Sequence, residues 1–206
     1  MNGGGGVAKP ELRDRWRRRR SAALPLSAAA ILAVARRQVP LLLPPDRLLG
    51  LWWPLPGEPD LRPLREVLPD RLALPAIVPW DGPGAGAHGG RRLVYRRWRD
   101  GDGLEPDLCG IPAPAPGDGL EPEQIGLLLV PALAVDADGL RLGSGGGWYD
   151  RLRADPRWRT IPALAVLPAA CVTEALPRDP WDVPFDGWID EDGLHGTGGA
   201  VERSGS

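Results

Sequence analysis

The chain has 206 residues, 43% of them hydrophobic and 25% charged, proportions of an ordinary globular protein able to bury one core. Its 25 basic side chains against 27 acidic ones leave a net charge of −2, which argues against a general polyanion binder. Only two cysteines occur, Cys109 and Cys171, without CxxC or metal-type spacing, so they suit reduced thiols in the cytoplasm.

In chain order, residues 1–8 form a glycine-rich lead expected to be disordered. Residues 9–24 have helical spacing, with Leu12, Trp16 and Ala23 along one side. A second helix is predicted from Ser27, a good N-cap, to Gln38, with Pro40 as its stop. No run approaches the ~18 apolar residues of a membrane span, and the start lacks the apolar stretch of a secretory signal. Residues 48–53 read as a buried strand, and Pro59 as the start of a short helix over 60–68.

A short strand is predicted at 72–74, a flexible loop at 78–90, a strand at 92–98 and a long proline-rich connection at 106–123. Residues 126–130 are an unbroken apolar run closed by Pro131, the mark of a strand buried on both faces. A turn at 136–139, a glycine loop at 143–147 and a helix at 148–153 follow. Strands at 161–166 and 185–189 come next, and the tail from Gly193 is expected to be disordered. Buried strands alternating with helices predict one α/β domain over 9–192, a mostly parallel sheet with helices on both faces.

The chemistry concentrates in residues 127–151, LLLVPALAVDADGLRLGSGGGWYDR. A buried strand delivers the chain to glycines that open a helix, where bare N–H groups can cradle phosphate; the alternative is a plain surface turn. GxGxxG counted from Gly143 would need glycine where Trp148 stands, and GxxxxGK[ST] fails for want of lysine and hydroxyl. Asp150 beside such a cradle would repel phosphate unless a cation such as Mg²⁺ intervened; otherwise it complements the helix dipole. The acidic stretch 179–192 either supplies a second ligand at Asp182 or is a solvated tail. Lys9, Arg13 and Arg17 share a helix face at i, i+4 and i+8, suited to a triphosphate, to solvent or to RNA.

The segment RLGSGGGWYDR resembles the signature loop of the 5-formyltetrahydrofolate cyclo-ligase family, and other segments agree in the same order. KPELR from Lys9 to Arg13 resembles the family's opening; WPLPGEPD, with Trp53 and Glu58, is similar to its first strand and the acidic position after it. LVYRRW with CGIP resembles its strand and following turn, and LPRDPWDVPFD its acidic segment. The sequence departs from the pattern at Trp181, where a histidine is usual, at Ala113, where a glutamate is usual, and in lacking a glutamine within PAACVTEALP.

The resemblance implies a single-domain α/β fold of the NagB/RpiA/CoA-transferase-like kind and an ATP- and Mg²⁺-dependent ligase. This would close 5-formyltetrahydrofolate to 5,10-methenyltetrahydrofolate with release of ADP and phosphate. It implies ATP binding by Lys9, Arg13, Arg141, Leu142, Gly143, Ser144, Gly145, Gly146, Gly147, Trp148 and Tyr149. Folate would lie against Trp53, Glu58 and the loop from Ser144 to Trp148, Mg²⁺ on Asp150 and Asp182, with Arg13 and Asp150 catalytic. The expected setting is a cytoplasmic monomer without nucleic-acid or membrane partners. A binding relative that does not turn over, an RNA-contacting protein and a phosphosugar- or CoA-handling enzyme are the rival readings.

Overall fold

The computed structural model describes residues 9–82, 89–179 and 182–197, so the 1–8 lead, residues 83–88 of the 78–90 loop and Trp181 lie outside the described residues. Helix α1 (Lys9–Leu42) runs for 34 residues where two helices were expected. Pro25 and Pro40 both lie inside it. Ser27 is not a cap: it is buried, and its Oγ donates to the Ala23 carbonyl one turn back at 3.2 Å. Tertiary packing overrides the proline signals, because Ile31, Val34, Ala35 and Val39 form a stripe pressed onto the sheet. By length and composition α1 could cross a bilayer, contrary to the reading of its sequence, yet that stripe belongs to the domain core.

Strands β1 (Leu48–Gly50), β2 (Leu72–Pro79) and β3 (Arg91–Trp98) follow, with a 3-10 turn at Arg62–Glu66 replacing the predicted helix. The proline-rich connection contains a small hairpin, β4 (Leu104–Pro106) with β5 (Pro112–Pro114). Then come β6 (Ile125–Pro131), β7 (Ala134–Asp136), β8 (Arg141–Leu142), α2 (Trp148–Ala154) and α3 (Pro156–Arg159). The chain continues through β9 (Ala163–Val166), β10 (Val172–Thr173), β11 (Gly187–Ile189) and β12 (Leu194–Gly196). β12 occupies part of the expected disordered tail: it pairs antiparallel with β11, Trp188 opposite His195, and their rings stack at 5.0 Å.

The main sheet has the order β12-β11-β9-β6-β1-β2-β3. Its five central strands are parallel, and β3 and β12 close the edges antiparallel. Alternate side chains enter two cores. Leu127, Leu129, Leu164 and Val166 meet the second half of α1 on one face. Leu128, Val130, Ala163 and Ala165 join Leu152, Trp158 and the Leu12–Trp16 end of α1 on the other. Helices therefore cover both faces, as predicted. From β1 the chain moves to β2 on one side and later to β6 on the other, so the loops leaving β1 and β6 diverge. Such a reversal opens a crevice at the carboxyl ends of the strands, where ligands of α/β proteins bind.

Candidate active site

The crevice is a cavity of about 360 Å³. It is bordered by the segment after β1 (Trp52, Trp53, Glu58), the end of β6 (Pro131), the run from Leu140 to Asp150, and Lys9 and Arg13 of α1. Asp179 and Asp182 border it from the far side. Every residue assigned above to ATP, folate or metal thus lies on the wall of one cavity, though the assignments come from scattered parts of the sequence. Arg17 does not: it is turned to Asp14, one turn back on α1. Ala113 is buried in β5 and does not border the cavity, so that departure leaves the wall unchanged.

The glycine loop is held at both ends by Arg141. Its guanidinium is buried, donates to the Pro131 carbonyl at 3.1 Å and meets Asp150 Oδ1 at 3.4 Å. Gly145 has φ +114°, open only to glycine at little cost, and a Cβ there would stand 3.7 Å from Arg13 Nε. Gly147 caps α2 in the left-handed region at φ +63°. Among the described residues no protein acceptor takes the N–H groups of Ser144, Gly145, Gly146 or Gly147, and Arg13 Nε is buried without a partner. Anion-seeking donors thus converge on one wall.

Glu58 lies opposite, its side chain only 5% exposed. Leu55 N–H donates to its Oε2 at 3.1 Å, and Arg20 stands 3.7 Å from its Oε1. Burial pushes its carboxyl above the usual range, against the pull of the Leu55 N–H and of Arg20 and Arg141. Trp53 is backed by the Arg62 guanidinium 4.2 Å from its ring, and Arg62 is in turn forked onto Asp60. Tyr149 is half-buried beside Arg141, its hydroxyl held protonated chiefly by desolvation.

The acidic side is tied to the glycine loop by Asp136, buried at the β7–β8 turn. Its Oδ1 accepts from Asp138 and Leu140 N–H, and its Oδ2 from Leu176 N–H at 3.0 Å. This contact docks residues 176–179, with Asp182 beyond them, against the cavity. Asp182 Oδ2 accepts the Asp179 N–H at 2.7 Å, and Asp179 pairs with Lys9. Among the described residues Asp150 and Asp182 each keep one oxygen free of protein partners. Among the described residues no cluster of three or more His, Cys, Asp or Glu is ready-made for a metal. Two carboxylates beside a wall of N–H and guanidinium donors are ligands of the kind Mg²⁺ takes, one or two at a time.

Sequence reasoning missed Asp136, Asp179 and Trp52 at this site. Trp52 adjoins Trp53, and Asp179 lies in the acidic stretch, so both carried a signal. Asp136 read only as a turn residue, because its partner Leu176 is 40 positions away.

The model of the 5-formyltetrahydrofolate cyclo-ligase family matches residues 6–190. A 5-formyltetrahydrofolate cyclo-ligase of Haemophilus influenzae is 34% identical over 62 residues, 30% of this chain and 33% of that protein. One of Mycolicibacterium smegmatis is 42% identical over 57 residues, 28% and 29% of the two chains. The matched stretches thus span about a third of these curated relatives. The NMR structure of the Aquifex aeolicus 5,10-methenyltetrahydrofolate synthetase superposes with a TM-score of 0.69 and 26% identity, over 97% of this chain and 95% of that one. The synthetase of Mycoplasma pneumoniae shares the fold at a TM-score of 0.61 and 20% identity, over 90% and 99%. With a glycine loop, a paired carboxylate and an acidic segment folded onto one crevice and a match along nearly its whole length, the chain belongs to the 5-formyltetrahydrofolate cyclo-ligase family.

Proposed function

We propose that this protein uses ATP to close 5-formyltetrahydrofolate to 5,10-methenyltetrahydrofolate. The observation that carries the reading is a single crevice in which a phosphate-type wall (Arg13 and the glycine loop) faces a buried carboxylate beside tryptophans. The first suits a triphosphate; the second suits a flat heterocycle with N–H donors, which Glu58 can accept and Trp53 can stack against.

In the proposed reaction the N5-formyl oxygen attacks the γ-phosphorus. An O–P bond forms, the bond to the β–γ bridging oxygen breaks, and ADP leaves. The formyl carbon is then an activated iminium. The N10 lone pair bonds to it, N10 loses its proton, the C–O bond breaks, and inorganic phosphate departs as the ring closes.

The formyl oxygen is a weak nucleophile, so the protein's work is positioning and charge stabilisation rather than proton transfer. Arg13, the loop N–H groups and Lys9 once drawn from Asp179 hold the γ-phosphoryl oxygens. Arg141 keeps Asp150 aimed at the same place. We assign Asp150 and Asp182 as the holders of Mg²⁺, which when bound offsets charge on the β- and γ-phosphates. The setting we propose is a cytoplasmic monomer, where the free thiols of Cys109 and Cys171 stay reduced.

The test is the rise of methenyltetrahydrofolate absorbance on mixing protein, ATP, Mg²⁺ and 5-formyltetrahydrofolate. Folded protein that binds ATP or folate without forming product would demote it to a non-catalytic relative.

A further inference from the structure

Arg20 is a buried cation that the reaction above does not use. It lies on α1, only 4% exposed, at the point where the loops after β1 and β6 diverge. Its Nη1 donates to the carbonyl of Ala132, directly after β6, at 3.0 Å. The same Nη1 stands 3.7 Å from Glu58 Oε1, in the segment after β1. A guanidinium spanning two diverging loops is a tie behind the wall of the crevice. We propose that Arg20 is a positioning residue for the folate side of the cavity, fixing Glu58 in one rotamer so that its carboxylate can accept N–H donors from the pterin.

This inference rests on the folate reading. Three features argue that the contact is more than incidental packing. A guanidinium so deeply placed is costly unless its charge is answered, and Glu58 is the carboxylate nearest it. Among the described residues Glu58 has no other guanidinium within ion-pair distance; Arg141 of β8 acts on it only at longer range. The charged groups that reach the pair are Arg17 of α1, acting on Arg20, and Arg141, acting on Glu58; the remaining groups that face it stay uncharged. Tyr149 of α2 is held protonated by burial, Trp52 is neutral, and the Cys171 thiol is pushed up to about 11, mainly by burial. With few other charges to take its place, removing Arg20 leaves Glu58 buried with a weaker counter-charge, and a carboxylate in that position takes up a proton. A protonated Glu58 loses an acceptor oxygen and meets the pterin with the wrong hydrogen-bonding pattern.

The experiment compares wild type, Arg20→Met and Arg20→Lys by two readouts. The first is the titration of Glu58, followed by NMR of ¹³C-labelled glutamate carboxyls and assigned with Glu58→Gln; it needs no substrate. The second is the pair of Michaelis constants for 5-formyltetrahydrofolate and ATP. In Arg20→Met, Glu58 is expected to titrate at least about one unit higher, with the folate KM up about tenfold and the ATP KM within about twofold. Arg20→Lys restores the charge, so Glu58 stays within about half a unit of wild type and the folate KM rises only about threefold.

The proposal is overturned if Glu58 titrates alike in wild type and Arg20→Met, or if the two Michaelis constants move together. Should the methionine variant fail to fold, Arg20→Lys decides by the same split between folate and ATP. A wild type without cyclisation would sink the folate reading, while the Glu58 titration would still judge the Arg20 coupling.

Discussion

Arg141 and Asp150 face each other across the glycine loop, Nη2 to Oδ1 at 3.4 Å, so the cation that leads into the loop holds the carboxylate that leaves it. The side chain of Arg141 is buried, whereas that of Asp150 is 34% exposed toward the cavity. The pair therefore has a rigid end and a ligand-facing end.

Replacing Asp150 with Asn keeps the shape and removes the charge. Cyclisation should fall about 10²- to 10³-fold, the scale of losing one electrostatic contact to a developing charge. Thermal stability should fall as well, because the Arg141 guanidinium is only 5% exposed and loses the charge that answers it. A steady-state assay across a Mg²⁺ titration checks this; an Asn variant with wild-type turnover would remove Asp150 from the metal site.

Gly145→Ala forces a Cβ onto a residue at φ +114° and beside Arg13. The backbone cost is about 1–3 kcal/mol, met by unfolding or by a shift of the loop. A lower Tm together with a higher KM for ATP is expected. If both match wild type, the loop conformation is not what the phosphates read.

Glu58 makes stability depend on pH. Its folded-state value lies above the ordinary 4.5, chiefly because it is buried. Between 4.5 and that raised value the folded chain keeps a proton that the unfolded chain has lost, so stability falls as pH rises through this window and levels off above it. Glu58→Gln cannot titrate there. Measured by denaturant midpoints from pH 4 to 8, wild type should lose stability relative to the variant as pH increases. Parallel curves would contradict the buried carboxylate.

Pro25 stands exposed inside α1. It donates no backbone hydrogen bond, and proline costs up to about 3 kcal/mol relative to alanine in a helix interior. Pro25→Ala should therefore raise stability by about 1–3 kcal/mol, read from chemical denaturation. A destabilised variant would mean that the backbone restriction proline imposes at this point of α1 is needed by the fold.

Much of the fold was legible because its signals are local. The unbroken apolar run before Pro131 became β6, buried on both faces, and the glycines after Arg141 became a loop opening α2. The errors arose where a distant partner overrules a local signal. Ser27 looks like an N-cap, yet α1 continues through it because Ile31 and Val34 have a sheet to lie on. Leu194–Gly196 looks like tail, yet it is a strand because β11 offers an edge. Asp190 helps to hold that turn, accepting from Gly193 N–H and meeting His195.

By itself the sequence determined which residues can carry chemistry: the bare loop, the acids that flank it, and the order of strands and helices. Only the tertiary structure decided that these meet in one crevice, that Arg13 rather than Arg17 enters it, and that Arg20 and Asp136 tie its walls together. The reason is that spacing along the chain reports neighbours within a few residues. The switch in strand order, which brings Glu58, Pro131 and Asp182 around one opening, is a property of pairing across the sheet.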